Sequence, residues 1–201
     1  METELLIATS NKGKVREIED LFRGSVISFR SLSDFPDIVE VPETGSTFEE
    51  NAILKARGYA LQTGLWALAD DSGLQIAALG NAPGVLSARY GGDDTSFERK
   101  ISMLLAEMET ADDKRRDARF VCSMALADGT GDILTASEGV CEGTIASAPR
   151  GNGGFGYDPM FVPAGYEQTF GELPNGVKRE INHRARASVK IMRYLLAFMA
   201  V

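Results

Sequence analysis

Two adjacent carboxylates follow an apolar segment, and few arrangements of a chain can accommodate them there. Asp70 and Asp71 come directly after the run Leu65–Ala69, which is typical of a buried strand, and directly before Ser72 and Gly73. Ionised carboxylates near a core are costly unless a cation neutralises them. A hard divalent ion such as Mg²⁺, held by one or two carboxylates and by phosphate oxygens, is the usual solution. The alternative is a plain turn rich in aspartate, and the pair alone favours neither interpretation.

Composition and charge narrow the class of protein. With 201 residues, of which 44% are hydrophobic and 25% charged, the chain has an ordinary globular composition and is long enough to bury a sizeable core. We predict a single domain over residues 1–201. The net charge of −8 argues against nucleic acid or an anionic membrane as a partner, because both require a basic face on the protein.

Targeting signals and cysteine usage predict a cytoplasmic protein. The first residues show no basic-then-apolar leader, and no apolar run approaches the roughly 18 residues of a membrane span. Cys122 and Cys141 lie in strand-like segments, which favours buried reduced thiols over a disulfide or a metal site.

Hydrophobic periodicity and turn residues predict a mixed α/β fold with two lobes beside a cleft. We predict strands at Leu5–Ala8, Val26–Phe29, Trp66–Ala69, Leu74–Leu79, Ala118–Ala127, Ile133–Val140 and Met160–Val162. We predict helices at Lys14–Phe22, Thr47–Gly64, Phe97–Met108 and Arg186–Met199. The second helix has the clearest bounds, because T-F-E-E at its start is a capping-box sequence and a glycine suits its end.

Polar residues suited to phosphate and metal are concentrated in the N-terminal half. The loop after the first strand offers hydroxyl, amide and ammonium groups from Thr9, Ser10, Asn11, Lys12, Gly13 and Lys14. A helix N-terminus that follows such a loop can receive an anion, although a simple helix cap explains the loop equally well. On the second helix, Asn51 and Lys55 are neighbours one turn apart. The best metal candidates are the acidic residues Glu43, Asp70 and Asp71.

The glycine-rich segment of the C-terminal half matches a dinucleotide-binding fingerprint only in its letters. Gly151–Gly156 reads G-x-G-x-x-G, but Pro149 precedes it and a strand rather than a helix is expected after it. The segment Phe155–Asp158 suits stacking on a base and binding of its polar edge, although ordinary core aromatics explain it too. Lys178 and the run Asn182–Arg184 add donors before the last helix, where a solvated helix start is the alternative.

Taken in order, these segments resemble the inosine triphosphate pyrophosphatase family. The similar segments run from end to end of the chain and are Thr9–Lys14, Glu43–Ala56, Ala69–Leu74, Pro83–Tyr90, Gly153–Phe161 and Lys178–Ala185. The resemblance implies a Mg²⁺-dependent enzyme that hydrolyses ITP, dITP and XTP to the monophosphate and pyrophosphate, and so removes deaminated purines from the nucleotide pool. It also implies an elongated mixed β-sheet with flanking helices, two lobes around a central substrate cleft, and a homodimer.

The resemblance also assigns roles to residues of this sequence. Asp71 is implied as the base for the attacking water and, with Glu43, as a ligand of Mg²⁺. The triphosphate would be held by the loop residues Thr9 to Lys14, with Lys14 and Lys55 as the main cations, and Ser72 would touch the substrate. We expect Arg89 to help the two lysines to offset charge on the leaving pyrophosphate. The purine would be held by Phe155, Gly156, Tyr157 and Asp158, and its edge would be bound by Lys178, His183 and Arg184. The chain departs from the usual Ser-His-Arg-Gly of the family, because Asn182 and Ala185 flank His183 and Arg184.

Two other functions stay open on the sequence. One is a pyrophosphatase of similar architecture that acts on modified pyrimidine nucleotides. The other is a silent nucleotide-binding protein of the same fold. The presence of Glu43, Asp70, Asp71 and Lys14 weighs against a silent protein, because such a protein has no need of them all.

Overall fold

The computed structural model describes residues 3–25 and 27–199, in which strands and helices alternate as far as the fourth strand, and three successive strands are then followed by two helices. The strands are β1 Thr3–Ile7, β2 Ile27–Ser31, β3 Trp66–Ile76, β4 Asp117–Ala127, β5 Ile133–Ile145 and β6 Phe161–Pro163. The helices are α1 Lys12–Leu21, α2 Phe48–Thr63, α3 Phe97–Thr110, α4 Asn175–Ile181 and α5 His183–Met199.

The strands β1 to β6 form one sheet of mixed direction, in the order β2-β1-β3-β4-β5-β6. Strand β1 runs parallel to β2 and to β3, so that Leu5 lies opposite both Phe29 and Trp66. Strands β5 and β6 are antiparallel, with Gly143 opposite Pro163. Parallel and antiparallel pairings in one sheet, with helices between the strands, confirm the predicted mixed α/β class.

Contacts within the chain group its residues into two compact units. Unit 1 comprises Met1–Asp71, Cys122–Gly139 and Arg184–Val201, and unit 2 comprises Ser72–Val121 and Val140–His183. Strands β3, β4 and β5 each contribute residues to both units. The single domain over residues 1–201 and the substrate cleft stay predictions.

Unit 1 has helices packed on both faces of its strands. Neighbouring residues of a strand point to opposite faces, and in β1 Leu5 and Ile7 belong to one apolar cluster while Leu6 belongs to another. The first cluster includes, from α1 and α5, Ile18, Phe22, Ala187, Ile191 and Leu195. The second includes, from α2, Ala52, Ala56, Tyr59 and Ala60. The alanines keep the α2 surface flat and allow the helix to lie close to the sheet.

Unit 2 has its own core, built around three phenylalanine rings. The ring centroid of Phe161 lies 4.6 Å from that of Phe120 and 5.3 Å from that of Phe170. Helix α3 adds Ile101, Leu104 and Met108 to the same cluster. Aromatic pairs at such distances add to the stabilisation that comes from burial alone.

The prediction for the segment around the acidic pair is wrong. Two strands, Trp66–Ala69 and Leu74–Leu79, were expected on either side of a turn, but β3 continues through both aspartates to Ile76. A short 3₁₀ turn occupies Ala77–Leu79. The turn preference of Asp-Asp-Ser-Gly is overridden because buried cations neutralise the two carboxylates inside the strand, as the site geometry shows.

Helix α2 has the bounds that the sequence predicts. The Thr47 hydroxyl oxygen accepts the backbone N–H of Glu50 at 3.1 Å, and the Glu50 carboxylate accepts the backbone N–H of Thr47 at 3.2 Å. Gly64 follows the helix with φ of 70°, a left-handed conformation that glycine adopts without strain. The predicted capping box and glycine stop are therefore confirmed.

The other helices differ from their predicted bounds. Helix α1 begins at Lys12, because the Asn11 side chain caps the backbone N–H groups of the next turn. Helix α4 was not predicted, and it places Lys178 on a helix rather than in a loop. Helix α5 begins at His183, three residues before the predicted start at Arg186.

The remaining expectations concern thiols, a strand start and membrane segments. Cys122 and Cys141 are buried thiols, as predicted. Val26, the predicted start of the second strand, lies outside the described residues, and β2 begins at Ile27. Over residues 3–25 and 27–199, no helix is long and apolar enough to span a membrane.

Candidate active site

Asp70 and Asp71 point to opposite faces of β3, because side chains alternate along a strand. Asp70 shares its face with Leu68, which belongs to the cluster of α1 and α5, whereas Asp71 shares its face with Ala69 and the α2 cluster. Both aspartates are buried, with exposed fractions of 0% and 6%. The two carboxylates therefore have entirely different neighbours.

Asp70 lies in a buried network of ion pairs within unit 1. Its Oδ2 accepts hydrogen bonds from Nε and Nη2 of Arg184 at 3.1 and 2.9 Å. Its Oδ1 lies 3.3 Å from Nζ of Lys14. Nη1 of Arg184 donates in turn to the carboxylate of Glu17, one turn after Lys14 on α1. The thiol of Cys122 lies 3.7 Å from Oδ2 of Asp70.

Surrounding cations keep Asp70 ionised in spite of its burial. Burial by itself raises the pKa of this carboxyl group, but the charges of Lys14, Arg184 and Lys55 outweigh that effect and hold the pKa far below its ordinary value. Asp70 is therefore negatively charged at neutral pH, and its contacts orient the Lys14 ammonium and the Arg184 guanidinium.

Asp71 lies among groups of α2 and of the segment that precedes this helix. Nδ2 of Asn51 donates to Oδ2 of Asp71 at 3.1 Å, and Nζ of Lys55 donates to Oδ1 at 3.1 Å. The same Lys55 ammonium donates to Oε1 of Glu43 at 2.5 Å. Burial raises the pKa of Asp71, the charge of Glu43 adds to the increase, and the lysine charges oppose it only in part. A carboxyl group of this kind suits a proton acceptor.

The oxygens of Glu43 and Asp71 fit a divalent cation. One oxygen of each contacts a single positive group, the Lys55 ammonium, so the two oxygens converge on one cation-sized position. Within the described part of the chain, no group of three or more His, Cys, Asp or Glu could hold a metal ion. Two carboxylates with an otherwise open shell suit Mg²⁺, which commonly takes one or two carboxylates together with water and substrate phosphates.

The loop after β1 forms a tight cap on α1 and presents polar groups at its N-terminus. Oδ1 of Asn11 accepts the backbone N–H groups of Gly13 and Lys14 at 2.9 and 3.2 Å. The hydroxyl of Thr9 accepts the backbone N–H of Asn11 at 3.2 Å. Ser10, Asn11 and Lys12 are exposed. The helix cap and an anion site are compatible, because capping leaves the positive end of the helix accessible.

In unit 2, one carboxylate oxygen fixes the aromatic loop to α4. Oδ2 of Asp158 accepts the backbone N–H of Phe155 and Nζ of Lys178, both at 2.7 Å. The Lys178 ammonium also lies over the Phe155 ring, 4.7 Å from its centroid. A Cβ atom on Gly154 would stand 1.9 Å from the same oxygen, so only glycine allows the carboxylate this position. The structure thus brings Phe155, Asp158 and Lys178 together.

Two further residues assigned to the purine have side chains built into the unit 2 core. The Tyr157 hydroxyl donates to the backbone carbonyl of Ser87 at 2.8 Å, and this ring is 3% exposed. The His183 imidazole stacks on Phe120 with centroids 4.8 Å apart and planes 13° apart. Tyr157 therefore serves as a core aromatic, the alternative weighed for it from the sequence. Outside the core, Arg89 is exposed, and Ser72 and Gly156 are half-buried.

Arg184 is placed differently from the donor on the purine edge that the resemblance implies. Its guanidinium is 1% exposed and binds Asp70 and Glu17. The alternative of a solvated helix start is wrong for this segment, because Asn182 and His183 are also buried. A direct contact between Arg184 and a purine stays a prediction. In the structure the guanidinium forms ion pairs with Asp70 and Glu17 instead.

Two residues of the site have no role that the sequence alone predicts. Asn51 contacts Asp71, and the only signal for it is its position one turn before Lys55 on α2. Glu17 contacts Arg184 from a position 167 residues away in the chain. Such a pairing has no local signal, because it depends on two helices packing on the same sheet face.

The chain is similar to known proteins over almost its whole length, in sequence and in structure. The model of the Ham1 family matches residues 5–194. A dITP/XTP pyrophosphatase of Syntrophobacter fumaroxidans is 50% identical over 94% of this chain and 80% of its own, and one of Geobacillus kaustophilus is 47% identical over 94% and 92%. The solved structure of a HAM1 protein from Coxiella burnetii superposes with a TM-score of 0.89 at 44% identity, covering 97% of this chain and 99% of its own.

Replacing each aspartate by asparagine should affect stability very differently. Asp70→Asn removes the negative charge between Arg184 and Lys14, and removing one partner of a buried pair typically costs about 3 to 5 kcal/mol of the free energy of unfolding. Asp71→Asn should lower the free energy of unfolding far less. The raised pKa of Asp71 means that folding already disfavours its ionised form, and Lys55 keeps its ion pair with Glu43 in the variant. Urea unfolding at pH 7 measures both free energies.

The difference in free energy of unfolding between wild type and Asp70→Asn should depend on pH in one direction. The pKa of Asp70 is lowered by folding, so its stabilising contribution is complete above the unfolded value of about 3.9 and is lost as the pH falls. The difference between wild type and Asp70→Asn should therefore shrink between pH 5 and pH 2. A difference that stays constant or grows on acidification would contradict the assigned role of Asp70.

Proposed function

The chain belongs to the Ham1 family, and from this premise we propose that it hydrolyses dITP, XTP and ITP to the nucleoside monophosphate and pyrophosphate. The family match confirms the resemblance found in the sequence segments. The observation that carries the proposal is the convergence of one carboxylate oxygen each of Glu43 and Asp71 on the Lys55 ammonium. Such a site suits cleavage of a phosphoric anhydride, in which negative charge must be neutralised.

Glu43 and Asp71 are the residues that would hold Mg²⁺. Bound there, the ion supplies positive charge to the phosphate oxygens and makes water a better nucleophile. Lys55, which contacts both carboxylates, would share them with the ion and would also donate to the phosphates. Asp71 keeps Asn51 as a donor to its other oxygen, so the carboxylate stays oriented.

The phosphates take their contacts from the loop before α1 and from lysines. Nζ of Lys14 lies 3.3 Å from Oδ1 of Asp70, and this ion pair limits the movement of the ammonium. Lys12 and the backbone at the start of α1 provide further donors. Lys14, Lys55 and the exposed Arg89 offset the charge that develops on the leaving pyrophosphate.

Asp71 is the proton acceptor of the proposed reaction. Water attacks the anhydride between the α- and β-phosphates and transfers a proton to the Asp71 carboxylate, while the bond to pyrophosphate breaks. The Asp71 carboxylate is oriented for this role by Asn51, which donates to its Oδ2.

The purine takes its contacts from the aromatic loop of unit 2 and from the start of α5. The Phe155 ring stacks on the base, and Asp158 and Lys178 fix the loop in position. Hypoxanthine and xanthine carry a 6-oxo acceptor where adenine carries a 6-amino donor. The first backbone N–H groups of α5 would satisfy the oxo group and oppose the amino group. Polar complementarity of this kind discriminates by up to about 10⁴-fold.

The cellular setting follows from the proposed activity. Removal of deaminated purine triphosphates protects nucleic acid synthesis, which makes the cytoplasm the place where the enzyme acts. We also propose a homodimer, with neither nucleic acid nor membrane as a partner, in line with the net charge of −8.

The substrate class is tested by one assay that identifies products. With Mg²⁺, the protein should convert dITP, XTP and ITP to monophosphate and pyrophosphate, with kcat/KM on the order of 10⁴-fold above that for ATP. Asp71→Asn should lower kcat by about 10² to 10⁴ through loss of the proton acceptor, while the exposed-site control Asp37→Asn stays at the wild-type rate. Preference for a pyrimidine triphosphate, release of orthophosphate, or no turnover would contradict the proposal.

The role of the aromatic loop is tested by a substitution that keeps an apolar side chain. Phe155→Leu removes the ring that would stack on the base, and stacking contributes about 1 to 3 kcal/mol per base. We expect KM for dITP to rise about tenfold or more with little change in kcat. Tyr166→Leu, at an exposed aromatic of the same unit, is the control and should change neither constant. An unchanged KM in Phe155→Leu would remove this residue from the site.

A further inference from the structure

We infer that Asn51 is a positioning residue, which fixes the orientation of the Asp71 carboxylate and so sets the geometry of the cation position that Asp71 shares with Glu43. The inference rests on the proposed function, since it gives Asn51 a task in that same site. Asn51 does not touch the proposed cation position itself. It acts through Asp71 on one side and through the backbone of Gly45 on the other.

Both ends of the Asn51 amide are engaged in the buried interior. Its exposed fraction is 0%, its Oδ1 accepts the backbone N–H of Gly45 at 2.8 Å, and its Nδ2 donates to Oδ2 of Asp71 at 3.1 Å. A buried amide that lost either bond would leave a polar group unsatisfied, which is unfavourable. The side chain is therefore held in one orientation.

The Gly45 backbone decides which end of the amide faces Asp71. A backbone N–H can only donate, so the amide oxygen must face Gly45 and the amide nitrogen must face Asp71. The donation from Asn51 then fixes Oδ2 of Asp71, which leaves Oδ1 directed towards Lys55. One amide thus selects the rotamer of the carboxylate that the reaction needs.

Gly45 is close enough to Asn51 only because it lacks a side chain. A Cβ atom there would stand 2.8 Å from Oδ1 of Asn51 and 2.6 Å from Cβ of Glu50. The segment that carries Glu43 is thereby tied to the same amide that orients Asp71. Both proposed metal ligands, from different parts of the chain, take their position from Asn51.

The chain offers a matched control on the same helix. Gln62 of α2 also uses its amide to fasten the segment before this helix, by accepting the backbone N–H of Val39 at 2.7 Å and donating to its carbonyl at 3.0 Å. Unlike Asn51, it has no contact with Asp71 among its hydrogen bonds to Val39 and Gly58. A general loosening of the segment would follow from Gln62→Ala as well as from Asn51→Ala.

The experiment compares Asn51→Ala, Gly45→Ala and Gln62→Ala with the wild type. Loss of residues that orient metal ligands typically costs 10- to 100-fold in metal affinity or activity. For Asn51→Ala we expect kcat for dITP to fall by about that factor while KM changes less than about threefold, because the phosphate loop is untouched. Titration with Mn²⁺ alone, followed by electron paramagnetic resonance, should show a dissociation constant raised about tenfold or more.

Gly45→Ala keeps the inference testable if Asn51→Ala fails to fold, because its Cβ displaces the same amide from the opposite side. It should show the same lowered kcat and weakened Mn²⁺ binding, and Gln62→Ala should show neither. Wild-type values in both Asn51→Ala and Gly45→Ala, or an equal loss in Gln62→Ala, would overturn the inference while the proposed function stands. Absence of hydrolysis by the wild type would overturn the proposed function, and the Mn²⁺ titrations would then decide the inference alone.

Discussion

Two neighbouring carboxylates inside a buried strand must each be given a cation, because an unpaired buried charge costs several kcal/mol. In β3 the alternation of side chains sends Asp70 to one face and Asp71 to the other, so one cation cannot serve both in the same way. Lys14 and Arg184 neutralise Asp70, and Lys55 contacts Asp71. The positions of α1, α5 and α2 in unit 1 are tied to this requirement.

The two faces have different chemistry as a result. Asp70 has more positive charge around it than burial can offset, so its pKa is lowered and it acts as a permanent anion. Burial raises the pKa of Asp71, and the charge of Glu43, with which it shares the Lys55 ammonium, adds to the increase. A site short of positive charge is one that a divalent ion can occupy with a gain in free energy. One dipeptide therefore provides a structural charge and, in the proposed function, a reactive one.

Local sequence signals predicted α2 and its caps, because Thr47, Glu50 and Gly64 act within one or two turns of each other. They failed at β3, since the residues that neutralise Asp70 and Asp71 lie far away in the chain and turn preference was the only local information. The same limit applies to Arg184, whose buried partners Asp70 and Glu17 could not be deduced from its neighbours. The family resemblance supplied the roles expected of Glu43 and Asp71, but the role of Asp70 as the buried partner of Lys14 and Arg184 required the structure.

A crystal structure with Mg²⁺ and a dITP analogue carrying an imido bridge between the α- and β-phosphates tests this division of tasks most directly. The account predicts the ion on Glu43 and Asp71, with metal–oxygen distances of about 2.0 to 2.1 Å, and Asp70 still bound by Arg184 and Lys14. An ion coordinated by Asp70, or an Arg184 guanidinium that has left Asp70 to bind the purine, would contradict it.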